Sequence, residues 1–275
     1  MSSPSYVLET QRPQARLAYY LRVLRLVASI EFKMKYADSV LGYAWSIAKP
    51  LAYFAVLWLV FGHLFDARTS VDSFALYLIL GLVLYLFFID AVGMALTSVV
   101  ARGSLLRRLA FSPLVLPISV TATALMTLAV NFVAVGAFVA IGRIEPNFSW
   151  LLIVPLLLEL YVFVLGTGLI LATLFVRFHD VAQIWELTAQ LLIFITPVMY
   201  PLSLLPGWAE KLLFLNPLVQ VMQDVRAIML HGEVETASDV LGRGGHAVPI
   251  FVAFAFLAVG LAIFRRDSPR FAERV

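Results

Sequence analysis

The sequence predicts an all-α membrane protein with six transmembrane helices, and three observations predict it. Hydrophobic residues make up 62% of the 275-residue chain and charged residues 13%. The mean hydropathy of +0.94 is far outside the range of a soluble domain. Apolar runs near the ~20 residues that a helix needs to cross a bilayer fall at about 44–65, 74–100, 114–141, 150–176, 181–200 and 247–264. Cations crowd on one side of these runs. With both termini in the cytoplasm, 15 of the 20 Lys/Arg lie inside, and only Arg68, Arg143, Lys211, Arg226 and Arg243 lie outside, which orients the chain by the positive-inside rule.

Three regions follow: a cytoplasmic N-terminal segment at 1–43, a transmembrane domain at 44–264 and a cytoplasmic tail at 265–275. Residues 15–36 place Leu17, Leu21, Leu24 and Ala28 on one helical face and Arg22, Arg25, Ser29 and Lys33 on the other. With Arg16 and Lys35 added, this is a helix for the cytoplasmic interface rather than a span. The first span carries Phe54, Trp58, Phe61 and Phe65 at spacings of four, three and four, a single aromatic face. Such a face can pack on a neighbouring helix or line a path in which sugar rings stack. The second span holds Asp90 deep enough to require a partner, and the fourth holds Glu159. Between spans two and three, Ser104 can cap a short basic helix around Arg102, Leu105, Leu106, Arg107, Arg108 and Phe111, which Ser112-Pro113 ends. Those residues alone read as a topogenic loop or as a handle for a partner. On the fifth span Gln183, Glu186 and Gln190 recur at i, i+3 and i+7. A stripe of that kind faces protein or water rather than lipid.

Residues 201–246 form the largest external piece. The stretch 202–215 is apolar but interrupted by Pro206 and Gly207 and preceded by Pro197 and Pro201. Asn216-Pro217 then reads as an N-cap followed by proline at the first helical position. The helix carries Leu218, Val221, Met222, Val225 and Met229 on one face and stops at His231-Gly232. Two short re-entrant helices at the mouth of a pathway are the economical arrangement, because broken backbone at membrane depth must pack in protein or line a wet cavity. The remainder, 233–246, is expected to be a loose polar loop.

Catalytic chemistry finds no support. The four lysines (Lys33, Lys35, Lys49, Lys211) never follow a glycine, so there is no P-loop. The four histidines are isolated and cysteine is absent, which leaves no zinc spacing. A membrane-bound enzyme of glycan-lipid assembly would need paired acids or a metal site, and neither is visible. Short basic loops flanking apolar runs are topogenic, so the net charge of +3 does not indicate nucleic acid.

Five stretches together resemble the ABC-2 type permeases, specifically the transmembrane subunits of polysaccharide, O-antigen and teichoic-acid exporters. They are K-Y-A-D-S-V-L-G-Y-A-W-S-I-A-K-P (35–50), L-L-R-R-L-A-F-S-P-L-V-L-P (105–117), R-F-H-D (177–180), T-P-V-M-Y (196–200) and N-P-L (216–218). R-F-H-D departs from the family's plainer pattern, in which Arg and Asp are adjacent or nearly so. The resemblance implies a homodimeric channel in a bacterial inner membrane, energised by two copies of a separate nucleotide-binding subunit. ATP and Mg²⁺ would belong to that partner, with no cofactor on this chain. It further implies that Arg102, Ser104–Leu106, Arg107, Arg108 and Phe111 form a coupling helix docked on the ATPase. The two short helices with Pro197, Pro201, Asn216 and Pro217 would be the external gate. A lipid-linked glycan would enter among membrane lipids beside Arg16, Arg22, Arg25 and Lys35 and leave past the aromatic face. The rival within the class is a drug or small-lipid exporter.

Overall fold

The computed structural model describes residues 44–64, 73–103, 112–232 and 234–271. The expected interface helix lies outside them, with Arg16, Arg22, Arg25 and Lys35. So do Phe65 and the coupling-helix residues Ser104, Leu105, Leu106, Arg107, Arg108 and Phe111.

Among the described residues the regular structure is helical. Helix α1 (Ala44–Leu59) runs into a π turn at Val60–Leu64. It is followed by α2 (Phe74–Ala101), α3 (Val115–Gly142), α4 (Ile153–Arg177) and α5 (Val181–Ile195). Then come α6 (Gly207–Leu213), α7 (Pro217–Met229), α8 (Ala237–Leu241) and α9 (Ala247–Asp267). Among the described residues, five helical stretches are long and apolar enough to cross a membrane: Ala44–Gly62, Phe74–Ala101, Val115–Gly142, Phe148–Arg177 and Ala247–Arg270.

The bundle is built on α2. From Leu76 to Phe88 every residue is buried, because α1, α3, α4, α5 and α7 all pack against it. A helix that is apolar all round belongs in the middle of a bundle. On its far side α4 meets α9 at very close range. A Cβ on Gly166 would lie 2.4 Å from Leu257 N, and one on Gly260 would lie 2.6 Å from the Gly166 carbonyl. Small residues at a crossing let two backbones approach, which is how helices gain contact where lipid supplies no hydrophobic drive. The C-terminal ends of the same two helices are tied by Arg177 Nη2 donating to Asp267 Oδ2 at 2.6 Å. Arg177 of the R-F-H-D stretch thus reaches across to α9.

The fifth expected span differs from its sequence boundaries. Helix α5 stops at Ile195, and its 15 residues reach only about 22 Å, against a hydrocarbon layer of about 30 Å. Pro197 is the cause: Thr196 before it is pushed to extended backbone at φ −77°, ψ 135°. The carbonyls freed at the helix end are met by the Tyr200 hydroxyl, 3.1 Å from Phe194 O and 3.0 Å from Ile195 O.

Beyond it a 3₁₀ turn at Leu202–Leu204 leads to α6 and α7. Asn216 caps α7 as its sequence implies, its side chain accepting from Leu218 N at 3.0 Å with Pro217 at the first turn. Twelve of the 13 residues of α7 are buried, so this helix is sunk in the bundle against α4, α2 and α9. It ends with His231 at φ 55° and Gly232 at φ 87°, where Gly232 N returns to Ala227 O at 2.8 Å.

The expectation of a loose loop at 233–246 is corrected among its described residues. Thr236 and Asp239 form a capping box that starts α8. Ala237 is buried in a small cluster with Leu202 and Phe214.

Candidate translocation face and external closure

The intramembrane acid Asp90 has its partner one helix away. Lys49, five residues into α1, donates to both carboxylate oxygens at 3.1 and 3.4 Å. The pair is not sealed in: the Lys49 side chain is 48% and the Asp90 side chain 39% exposed. Two crevices meet at it. One of about 560 Å³ runs between α1, α2 and α3 and is lined by Trp45, Tyr53, Asp90 and Asn131, among others. The other, about 520 Å³, lies between α1, α2 and α5 and is lined by Lys49, Asp90, Thr97, Trp185 and Glu186, among others. Asn131 is buried, and its Oδ1 has no hydrogen-bond partner among the described residues.

The stripe on α5 is open. Gln183, Glu186 and Gln190 are all exposed, and no residue of this helix is buried. Helix α5 holds to α2 through the Tyr85 hydroxyl, which donates to Ala189 O, and through Trp185 edge-on to Phe88 at 6.0 Å. Glu186 comes beside Lys49 and Asp90 in the second crevice; Gln183 and Gln190 extend the polar line along the same helix.

The aromatic face of α1 turns the other way. Phe54, Trp58 and Phe61 pack against the main core, with the Phe54 ring edge-on to Phe138 of α3 at 4.7 Å. Spacing alone established that these rings share a face but not which direction it looks. The exposed aromatics of α1 are Trp45 and Tyr53. Arg102 caps the C-terminal end of α2. In α4, Glu159 is half-buried and its Oε1 has no hydrogen-bond partner among the described residues.

At the other end of the bundle lies a cation that charge counting assigned to the outside. Arg226 of α7 is fully buried. Its Nε donates to Tyr77 O at 3.0 Å. Its Nη1 donates to Pro197 O at 2.7 Å and to Gln223 Oε1 at 2.9 Å, and its Nη2 to Val198 O at 2.9 Å. The guanidinium also sits 3.5 Å over the Tyr77 ring. Pro197 therefore contributes a carbonyl to this cage, while Pro201, buried, opens the 3₁₀ turn. The missed signal was an arginine set among Val221, Met222, Val225 and Met229 on a short apolar helix.

The segment after α7 is fastened by Asp224, whose Oδ2 accepts from Gln220 Nε2 at 2.5 Å and lies 2.8 Å from His246 Nε2. Nearby, Asp239 is held below the usual carboxylate range by the Thr236 hydroxyl first and the Thr236 N–H second. Burial, then repulsion from Glu210 and Asp239, pushes Glu235 up. Among the described residues no cluster of His, Cys, Asp or Glu is arranged to hold a metal ion.

A helical bundle with an uncovered polar line at membrane depth, and a broken, inserted segment at one end, has the build of a membrane transport permease. The chain belongs to the ABC-2 type transporter family, whose pattern it matches over residues 22–230. It is 26% identical over 258 residues to the O-antigen export system permease protein RfbA of Klebsiella pneumoniae, covering 94% of this chain and 96% of that one. It is 28% identical over 265 residues to the protein of the same name from Myxococcus xanthus, covering 94% and 97%. The polysialic acid transport protein KpsM of Escherichia coli is 22% identical over 243 residues, covering 86% and 89%.

Proposed function

We propose that this chain is the channel-forming subunit of an exporter that moves a lipid-linked polysaccharide across the cytoplasmic membrane of a bacterium. Two copies form the path, and ATP hydrolysis on two copies of a separate nucleotide-binding subunit drives it. The observation that carries this reading is the uncovered polar line Gln183–Glu186–Gln190 beside the half-exposed Lys49–Asp90 pair. Leaving such groups open to hydrocarbon is costly, and a second copy or a hydrated path removes that cost. The likeness to O-antigen and polysialic acid permeases over nearly their whole length supports a polysaccharide over a small solute.

In this reading both termini are cytoplasmic. Helix α5, with residues 196–200, makes the fifth of six passes. Trp45, Tyr53 and Trp185 present aromatic faces to the sugar beside Lys49, with Phe54, Trp58 and Phe61 supporting α1 from behind. Arg16, Arg22, Arg25 and Lys35 meet the lipid carrier's phosphates at the inner surface. The segment from Arg102 to Phe111 receives the push of the ATPase, and α6 and α7 close the outer end.

The test is co-expression with an ATP-binding subunit, followed by assay of complex formation, hydrolysis and export. Changing Arg107 and Arg108 to Glu should lower export by about an order of magnitude while the permease stays inserted and hydrolysis persists. Unchanged export would remove the coupling role from this segment.

A further inference from the structure

A fully buried arginine that pairs with no carboxylate among the described residues needs an account. The charge of Arg226 is held by carbonyl dipoles and a ring face. The partners come from two elements besides its own helix. Tyr77 and Gly81 belong to α2, and Pro197 and Val198 to the elbow after α5, where backbone carbonyls are free because the helix has ended. Gly81 makes room for it: a Cβ there would sit 2.0 Å from Arg226 Nη2. The site is thus a notch in α2, shaped for a planar fork that meets three carbonyls at once. A lysine could not reproduce that geometry. Filling the same space with an apolar side chain is often no worse for stability, so stability alone does not explain the arginine. Orientation does, because the rigid fork admits one seating of α7 against two other elements.

We propose that Arg226 is the positioning residue of the external closure. Its guanidinium, lodged in the Gly81 notch, keeps α7 seated against α2 and the elbow after α5, and displacing it unseats α7. This rests on the reading of α6 and α7 as the outer gate, and the two measurements below separate the claims.

The chain has no cysteine, so one introduced thiol is the only thiol. Met222→Cys places it on α7 at a fully buried position, and Phe264→Cys places a control at a buried position on α9. Each is combined in the full chain with Arg226→Met, Arg226→Lys or Gly81→Ala, and a water-soluble maleimide is added to both sides of the membrane. The Gly81→Ala change improves the helix-forming tendency of α2 and alters no charge, so it carries the test even if the arginine variants do not reach the membrane.

The expected result is labelling at residue 222 about tenfold faster in the variants, with residue 264 still protected. Protection of residue 222 in folded variants overturns the proposal, and so does equal labelling at both positions, which means general loosening. In parallel, vesicles carrying the same variants are loaded with radiolabelled sucrose. Release together with labelling supports both claims. Labelling without release leaves Arg226 as the seat of α7 and removes α7 from the gate.

Discussion

Alanine at Gly166 and at Gly136 should have opposite effects, although both substitutions add one methyl to a glycine inside a long helix. The crossing of α4 and α9 sets the difference. A Cβ at Gly166 would lie 2.4 Å from Leu257 N and 2.5 Å from the Phe256 carbonyl carbon. Both are backbone atoms, which cannot turn aside as a side chain can. Restoring an ordinary contact requires α9 to back away by about 1 Å along the crossing, and forcing extra volume into a packed site costs about 1–3 kcal/mol. At Gly136 of α3 nothing lies within 4 Å of the added atom, so only the backbone term remains, a gain of about 0.5–1 kcal/mol from replacing a mid-helix glycine. That gain is common to both variants and cancels between them, leaving them about 1–3 kcal/mol apart with Gly166→Ala the weaker. Reversible unfolding in detergent, or the temperature of half-loss of monodisperse protein, measures the difference. Equal shifts of the same sign would refute the claim that backbone contact at Gly166 holds α4 and α9 together.

Two further perturbations probe other links. Lys49→Met and Asp90→Asn should each destabilise the protein, at most by the ~2.5–3.5 kcal/mol of an unpaired charge at membrane depth and by less here because both side chains are part-exposed. The double variant should recover about 1 kcal/mol of their sum, whereas strictly additive losses in the same unfolding assay would mean that the pair contributes nothing. Asp239 has a lowered folded pKa, so the capping box is at full strength above the ordinary Asp value of about 3.9 and is lost as pH falls through the lower folded value. Protection of the α8 amides against hydrogen exchange, taken relative to the intrinsic rate at each pH, should therefore fall below about pH 4 in the native chain, and Thr236→Val should flatten that acid-dependent step. A native profile already as flat as that of the variant would count against the box.

The fold was legible wherever one physical signal dominated. Long apolar runs located α1, α2, α3, α4 and α9 to within a few residues, because nothing but a helix satisfies its own backbone over such a length in lipid. Asn216-Pro217 located the start of α7 because both residues act through the local backbone. The end of α5 was misread for an equally local reason. T-P-V-M-Y is apolar enough to extend a hydropathy window, while Pro197 ends the helix regardless of hydropathy. The segment 233–246 was read as loose from its glycines and polarity. Its order comes from Asp224 and from the buried Ala237, contacts that bring together residues 13 apart.

Direction and partner choice were the illegible part of the candidate site. Periodicity put Phe54, Trp58 and Phe61 on one face without saying which way it looked. Charge counting assigned each cation to a side and said nothing of partners. Three have specific ones: Lys49 pairs with Asp90, Arg177 with the buried Asp267, and Arg226 with carbonyls. Removing them from the tally leaves 13 cations on the side that the positive-inside rule assigns to the cytoplasm against four on the other, so that asymmetry does not depend on them. The same subtraction separates two uses of charge in one membrane protein. Cations at the ends of spans set which way the chain inserts and need no specific partner. Those within the bundle must each find one, because an unmatched charge there is expensive, and Asp90, Asp267, Tyr77, Pro197 and Val198 are where they find it.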